Sequence, residues 1–367
     1  MTIGQIIKKL RKNADMTQEE LAEMLSISSQ AVSRWETDSA MPDISLLPLI
    51  CGIFNISADE LLGIDITKQG EEIYEIRKKA DEKSSRGYSK EAREILEEGL
   101  RKFPKSYLLM RDLMYVAKDQ SNDTDYISEQ RDSFRQEAIE LGEKILNSCT
   151  QDEIRNSAIQ VLCFSYRDAG ENDKAKALAR KMPHMAVSQQ SLMSRVASGD
   201  EKLRAKQIEM NLYVQFLETG ICRMDTKMDN GEWRYSDKEN SILRDKSIAI
   251  LDIIFEDGNY GFYHTHLTDM HSDQAKYYAG IQSVEKTLYH LKKASEHAIA
   301  FLNWEQGGEY TCLLFKGMRR GKFSTNDTRN NALFLIETMR SKEFEFLFDN
   351  EEFKLIKNQI EPLAKHW

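Results

Sequence analysis

The chain has 367 residues, 30% of them charged, and a net charge of −9 at pH 7. This length predicts two or three domains with sizeable cores, and the acidity excludes a protein that coats nucleic acid nonspecifically. Five scattered cysteines without a CxxC spacing indicate neither a disulfide framework nor a zinc module. Because no signal peptide and no apolar run of membrane-spanning length is visible, we expect a soluble, cytoplasmic protein.

Two short helices joined by a tight turn are predicted in residues 17–36, TQEELAEMLSISSQAVSRWE. Thr17 caps the first helix, and Glu20 completes a capping box three residues later. The serines at 28–29 cap the second helix, whose apolar side chains recur at helical spacing. Its outer face is polar and carries one arginine, Arg34. Base edges and phosphates accept such side chains, so this face is predicted to contact DNA.

Residues 3–65 resemble the helix-turn-helix domain of the lambda repressor and Cro type, often called the XRE family. The matching segments are, in order, Arg11, TQEELAEML, SSQAVSRWE, Pro42 with Asp43, the Leu46-Leu47-Leu49 stripe and SADELL at 57–62. The resemblance implies five helices around one core. The residues expected in that core include Leu21, Leu25, Val32, Trp35 and Ile44.

The same resemblance implies roles for individual residues. Gln18, at the start of the second helix, would bind phosphate, and Arg11 would pair with Glu36 inside the domain. The residues implied to face the DNA groove are Ser28, Ser29, Gln30, Ser33 and Arg34. Two departures from the family pattern are Ser26, in place of the usual turn glycine, and Asp38-Ser39, where a glycine and a basic residue are common.

The net charge of residues 1–66, which we call the head, does not by itself favour DNA binding. Residues 1–65 hold ten acidic side chains against five basic ones. The basic residues concentrate on the first helix and the recognition helix, and local placement matters more than the total. DNA binding therefore remains the interpretation, although a fold does not fix a function.

From Glu71 onward, after a short linker at 64–69, helices are predicted to follow one another to the end of the chain. Small residues between Ala80 and Pro104 mark close helix crossings, with glycine at the turn and proline at the end. This pattern resembles a tetratricopeptide repeat (TPR) at 73–106. Weaker echoes begin at Cys163 and Ala275, the latter with Gly280 at the turn.

Such repeats must stack to bury their apolar faces. We therefore predict an all-α protein, a five-helix Cro-type domain followed by a TPR-like α-solenoid of about six hairpins. The predicted domains are 1–66 for DNA binding, 67–230 for TPR-like repeats, and 231–367 for further repeats with a C-terminal cap.

The repeats allow two interpretations. A solenoid groove suits an extended peptide or protein ligand, and the same scaffold suits dimerisation. A helix-turn-helix head joined to TPR-like repeats resembles the RRNPP class of peptide-sensing regulators in Gram-positive bacteria. That resemblance is one of architecture and not of a ligand motif.

Catalytic or metal chemistry is not indicated. His264 and His271 share a helix face, but His266 points elsewhere, and no HExxH spacing occurs. These are predicted to be solvated helix histidines. Since no phosphate loop, nucleophile elbow or kinase motif is found, we expect neither an enzyme nor a cofactor.

Two hypotheses follow. The first is a sequence-specific transcriptional regulator that binds an inverted-repeat operator in double-stranded DNA as a homodimer. Its repeat domain would dimerise and hold a peptide or protein ligand. The second is a TPR-type protein-interaction adaptor in which DNA contact is secondary or lost.

Overall fold

The computed structural model describes residues 2–63, 66–224, 226–228, 230–304, 307–321 and 324–367, without the side chains of 66 and 67. The predicted all-α class is confirmed, since the regular elements in these ranges are helices. In chain order they are α1 Ile3–Asn13, α2 Gln18–Met24, α3 Ser29–Glu36, α4 Leu47–Phe54, α5 Ala58–Leu61, α6 Ile66–Ser84, α7 Ser89–Lys102, α8 Tyr107–Gln120, α9 Ser128–Ser148, α10 Asp152–Asp168, α11 Asn172–Ala179, α12 Gln189–Val196, α13 Gly199–Cys222, α14 Asp237–Ile254, α15 Tyr263–Gly280, α16 Val284–Leu302, α17 Asn331–Met339 and α18 Glu351–Ile360.

The chain divides into two compact units. The first comprises Met1–Lys79 with Arg101–Pro104, and the second Ala80–Leu100 with Lys105–Trp367. The linker expected at 64–69 is shorter than predicted, because α6 already begins at Ile66. Residues 64 and 65 lie outside the described residues.

The core of the first unit is formed by α1 to α5. Its fully buried side chains include Ile7, Leu21, Val32, Ile50 and Leu61. Each of these helices buries a narrow apolar stripe, and together the five stripes enclose one small core, as short amphipathic helices require.

Ile44, which the sequence assigned to this core, is 81% exposed, so that prediction is wrong. Residues 44–46 form a separate 3-10 turn, and the helix proper begins at Leu47. Asp43 caps the turn by accepting a hydrogen bond from the backbone N–H of Ser45 at 2.8 Å. A 3-10 turn has three residues per turn, which changes the side-chain phase and leaves Ile44 facing solvent.

The second unit is a succession of helices, most of which pack on their chain neighbours. The helices α8 to α11 pack one on the next, and so do the helices α12 to α17. Close crossings depend on small residues, as the TPR-like pattern predicts. A Cβ on Gly142 of α9 would lie 2.7 Å from Cγ of Leu162 on α10, so these helices approach more closely than a side chain allows. The second unit is thus an array of helices packed one against another, as the predicted α-solenoid requires.

The C-terminal segment closes the second unit. Phe344, Leu347, Phe353 and Ile356 are buried in a cluster with residues of α15, α16 and α17. Segment 324–329 also reaches the turn after α6, where the N–H of Thr325 donates to the carbonyl of Ser85 at 2.9 Å. Within the part of the chain described, no helix combines the length and apolarity that crossing a membrane requires.

Candidate nucleic-acid interface

The turn between α2 and α3 is held by capping bonds at both helix starts. The N–H of Glu20 donates to Oγ1 of Thr17 at 3.1 Å, and the N–H of Thr17 donates to Oε2 of Glu20 at 2.7 Å. These hydrogen bonds with Thr17 also lower the pKa of the Glu20 carboxyl. At the second helix, Oγ of Ser28 accepts from the N–H of Ala31 at 3.3 Å. Both helix starts are therefore fixed locally, before packing is considered.

Ser26 and Asp38 both adopt left-handed backbone conformations, with φ of 55° and 57°. These are the positions where the family usually has glycine, and glycine populates this region without steric cost. Asp38 gains a compensating contact, because its Oδ1 accepts a hydrogen bond from Oγ1 of Thr2 at 2.5 Å. Ser39 is exposed and supplies no positive charge.

The outer face of α3 presents the side chains that the sequence assigned to the DNA groove. Gln30 and Arg34 are exposed and lie one helical turn apart, while Ser29 and Ser33 are half-buried. Among the described residues, the side chains of Gln30 and Arg34 have no hydrogen-bond or ion-pair partner. Ser28 is exposed, but its hydroxyl is committed to the cap. The helix thus offers Gln30 and Arg34 to a ligand without first breaking an internal bond.

Behind this face, Arg11 of α1 and Glu36 of α3 form a two-point ion pair. Nε and Nη2 of Arg11 lie 2.6 and 3.0 Å from the two oxygens of Glu36. Burial opposes ionisation of Glu36, but hydrogen bonds from Arg11 and Gln18 outweigh it and lower the pKa of the carboxyl. The hydrogen bond to Glu36 likewise raises the pKa of Arg11.

Gln18 takes part in the same network, which the sequence did not suggest. Its Nε2 donates to Oε2 of Glu36 at 2.8 Å. An amide nitrogen has two hydrogens, so the second remains for the phosphate role that the family resemblance implies. The side chain is thereby oriented by Glu36 at the N-terminus of α2.

Close packing fixes α1 against α3. A Cβ on Gly4 would lie 1.8 Å from the carbonyl oxygen of Trp35, so only glycine fits there. This contact holds the exposed lysines of α1 at fixed positions relative to α3, the recognition helix. These lysines are Lys8, Lys9 and Lys12. They are the remaining cations of the head.

Sequence reasoning missed an exposed apolar group that follows α3. Met41, Ile44 and Leu49 are all exposed on the head. The signal for the exposure of Ile44 was Asp43, whose cap starts a separate turn before α4. Leu49 lies on the exposed side of α4 itself.

The histidines of α15 also differ from prediction. His264 and His271 are buried, not solvated, and each faces a histidine of α16. His266 lies apart, with Nδ1 2.6 Å from Oε1 of Glu218. No group of three or more His, Cys, Asp or Glu side chains in the described ranges is arranged to hold a metal ion. Gly280, expected at the following turn, ends α15 instead, and Gln282 takes the left-handed conformation.

A second feature is an open cleft of about 950 Å³ within the second unit. It lies where the turn after α6 and loop 119–126 meet segment 324–329. Its charged lining is mostly acidic, comprising Glu91, Asp119, Asp123, Asp125, Asp327 and Glu337 against Lys90 and Arg329. Burial raises the pKa of Asp119 to about 6, and this carboxyl accepts from Asn326 at 3.2 Å.

Comparison with known proteins agrees with the geometry of the head. Residues 7–61 match the helix-turn-helix family. The antitoxin PezA of Streptococcus pneumoniae is 36% identical over 85 residues, 23% of this chain and 54% of the antitoxin. A structure of Bacillus thuringiensis PlcR with the peptide PapR7 and DNA covers 82% of this chain and 95% of its own, at 15% identity. Its TM-score of 0.31 is too low to establish a shared fold.

The chain spans about half the length of PezA and of one further curated relative. The immunity repressor protein of Bacillus phage phi105 is matched more fully. It is 32% identical over 119 residues, which cover 27% of this chain and 83% of the repressor. A relative matched over most of its length at this identity, together with the matched domain at 7–61, establishes that the chain belongs to the XRE-type family of helix-turn-helix regulators.

Proposed function

We propose that this protein is a sequence-specific DNA-binding transcriptional regulator that reads an operator with α3. The observation that carries the proposal is the exposed pair Gln30 and Arg34, whose side chains have no partner in the part of the chain that the structure describes. They lie on a helix that Arg11 and Glu36 fix from behind. Arginine makes two hydrogen bonds to guanine and glutamine makes two to adenine, so this pair suits base edges in the major groove.

In the same proposal the serines and Gln18 have supporting roles. Ser29 and Ser33 flank the reading pair on the face of α3, and Ser28 holds the start of that helix. Gln18 and the first N–H groups of α2 contact a phosphate, since a helix N-terminus attracts anions. Phosphate contacts position the head, while base contacts select the sequence.

We further propose that the protein acts as a homodimer through the second unit. On α13, Leu203, Met210 and Leu217 are 56%, 37% and 52% exposed, although Gln207 and Glu218 of the same helix are buried. The three apolar residues are seven positions apart, so they form one stripe along the helix. A twofold axis through Met210 would place Leu203 of one copy opposite Leu217 of the other, as a self-complementary interface requires.

The cleft of the second unit supports a sensing role. Because acidic side chains predominate in its lining, we propose a positively charged peptide or protein segment as its ligand. The test is to compare basic peptides with matched acidic ones by the thermal stabilisation each confers on the full chain. Stabilisation by the basic set alone supports this role, and equal or absent effects of both sets contradict it.

DNA binding is tested by selecting fragments of the source genome with the purified full-length protein. The proposal expects enriched fragments that share an inverted repeat, with half-sites about one helical turn apart, roughly 34 Å. The same selection with the double variant Gln30→Ala, Arg34→Ala should lose this enrichment. Failure of the unmodified protein to enrich any sequence would favour the alternative, a TPR-type adaptor with secondary or no DNA contact.

A further inference from the structure

Four histidines form a continuous column between α15 and α16. His264 and His271 are seven residues apart on α15, and His290 and His297 are seven apart on α16. The helices are antiparallel, so the outer residues pair and the inner residues pair. Nδ1 of His264 lies 2.9 Å from Nδ1 of His297, and Nδ1 of His271 lies 2.9 Å from Nδ1 of His290.

Aromatic contacts join the two pairs. The ring of His271 stacks on that of His297 with centroids 5.7 Å apart and an interplanar angle of 11°. Tyr278 stacks on His290 at 5.3 Å. At the other end Tyr260 meets the rings of His264 and His297 edge-on, at 5.2 and 5.3 Å. The column is therefore packed at both ends.

The pairing restricts where protons can sit. In each Nδ1–Nδ1 hydrogen bond one ring donates and the other accepts, so only one of the two Nδ1 atoms carries a hydrogen. A first added proton can go to Nε2 of the donor ring and leave the bond intact. A second proton must go to Nδ1 of the acceptor ring, and two N–H groups then face each other. The hydrogen bond of each pair therefore forms between neutral rings and breaks when the pair takes up a second proton.

The surroundings also resist charge on the column. His264, His271 and His290 are 9%, 4% and 7% exposed. Burial lowers the pKa of His264 and of His297 to about 4 and that of His271 to about 3, and it lowers the pKa of His290 as well. Their neighbouring histidines and the cations Arg320, Lys286 and Lys293 add to this effect.

The carboxylates near the column do not cancel this lowering of the histidine pKa values. Asp245 of α14 faces His290, and Glu296 of α16 faces His297, and each acts to raise the pKa of its histidine. Asp252 of α14 instead accepts from the hydroxyl of Tyr260 at 2.7 Å. Asp269 of α15 interacts with His266 and with Asp273.

We propose that this column is an acid-responsive latch, which holds α15 and α16 together while its histidines are neutral and releases them when the histidines take up protons. A free histidine titrates near 6.5, so below about that pH the open form binds more protons than the closed form. The latch is therefore fully closed above about pH 6.5, and it weakens as the pH falls toward the lowered pKa values of the closed form. Its opening would expose the core that Leu291 and Ala294 of α16 form with the C-terminal cap.

Hydrogen exchange on the full-length protein tests the latch. Protection factors, corrected for the intrinsic pH dependence of exchange, are compared between peptides of 263–302 and peptides of 107–148 from pH 7.5 to 5. The proposal expects protection of 263–302 to fall at least about 100-fold more than that of 107–148, because several protons are taken up on opening. An equal fall in both segments, or none in 263–302, would overturn it.

A variant pair localises the effect. His271→Leu with His290→Leu removes one titrating pair and keeps an apolar contact, so the acid-induced loss of protection should shift to lower pH. His184→Leu, at an exposed histidine of the same unit, is the matched control and should leave the profile unchanged. A double variant that folds and keeps the original pH profile contradicts the proposal. If it does not fold, the comparison of the two segments in the unmodified protein decides.

Discussion

Glu36 of α3 accepts two hydrogen bonds from Arg11 of α1, at 2.6 and 3.0 Å, with only 1% of the Glu36 side chain exposed. A third bond, from Gln18 of α2, reaches the same carboxylate at 2.8 Å. One buried charge thus connects the three helices that set the position of the recognition face. Because each partner comes from a different helix, loss of the carboxylate affects both the stability of the head and the orientation of α3.

Replacing Glu36 with Ala should destabilise the head by roughly 3–5 kcal/mol, because it leaves the Arg11 guanidinium buried without its counter-ion. Hydrogen exchange of α1 and α3 in the full-length protein measures the loss. Glu23→Ala, which removes an exposed carboxylate from α2, is the control. Equal protection in the two variants would show that the pair contributes little.

The same pair predicts a pH dependence. The folded-state pKa of Glu36 is lowered, so its contribution is fully present above the unfolded value of about 4.3 and is lost as the pH falls through the folded value. Protection of α1 and α3 in the unmodified protein should therefore decline below about pH 4.3. In Glu36→Gln this part of the decline should be absent. A variant that declines as steeply as the unmodified protein would assign the acid sensitivity to other carboxylates.

Base reading rests on Gln30 and Arg34. Replacing either with Ala should cost about 1–3 kcal/mol of binding free energy at the operator and relax specificity at one base pair. Titration of operator and single-mismatch duplexes at one fixed salt concentration measures both effects. Asn13→Ala, at the exposed end of α1, should bind as the unmodified protein does. Unchanged affinity in both α3 variants would show that these residues do not contact the bases of the operator.

The sequence predicted most of the head because its signals are local. The capping box of Thr17 and Glu20 depends on residues three apart, and the structure contains both of its hydrogen bonds. Ile44 was misplaced because the cap at Asp43 begins a separate 3-10 turn, which interrupts the run of apolar residues that leads into α4. Local pattern was insufficient where two local signals disagreed.

Long-range pairing was beyond the sequence. His264 and His271 were correctly placed on one helix face, but nothing in their own segment showed that His290 and His297 would face them. The sequence does show the same interval of seven residues within each pair of histidines. That the two pairs contact each other follows only from the antiparallel packing of α15 on α16. Likewise, the bond from Gln18 to Glu36 spans 18 residues and requires the packed head.

Backbone strain in the turn gives a fourth prediction. Ser26 has a φ of 55°, a conformation that costs a non-glycine residue on the order of 1–3 kcal/mol. Glycine avoids this strain, but it loses more backbone entropy on folding, which offsets part of the gain. Ser26→Gly should therefore stabilise the head by about 1 kcal/mol, measured from hydrogen exchange of α2. Ser26→Val should destabilise it, since β-branched residues tolerate this region poorly. If glycine lowers the stability, the serine side chain makes a contribution larger than the strain.

The last prediction concerns dimerisation, which would compensate for weak binding by an acidic head. A head with few cations neutralises few phosphates, and each phosphate contact adds to affinity through counterion release. Joining two heads makes the second binding event intramolecular and can raise affinity on the order of 10²–10⁴. We therefore expect full-length protein to sediment as a dimer and to bind an inverted repeat more tightly than residues 1–66 by about that factor.

Met210→Glu tests whether the stripe on α13 forms this dimer. On a twofold axis through Met210, the substitution brings two carboxylates together in an apolar contact, where like charges oppose association. Sedimentation should show a monomer, and affinity for the inverted repeat should fall toward that of the isolated head, while affinity for a single half-site is unchanged. Gln215→Glu adds the same charge at another exposed position of α13 and should leave the dimer intact. A Met210→Glu protein that remains dimeric would place the interface elsewhere. If the unmodified protein is monomeric and binds no better than its head, the solenoid does not serve to join two heads, and the adaptor becomes the better account.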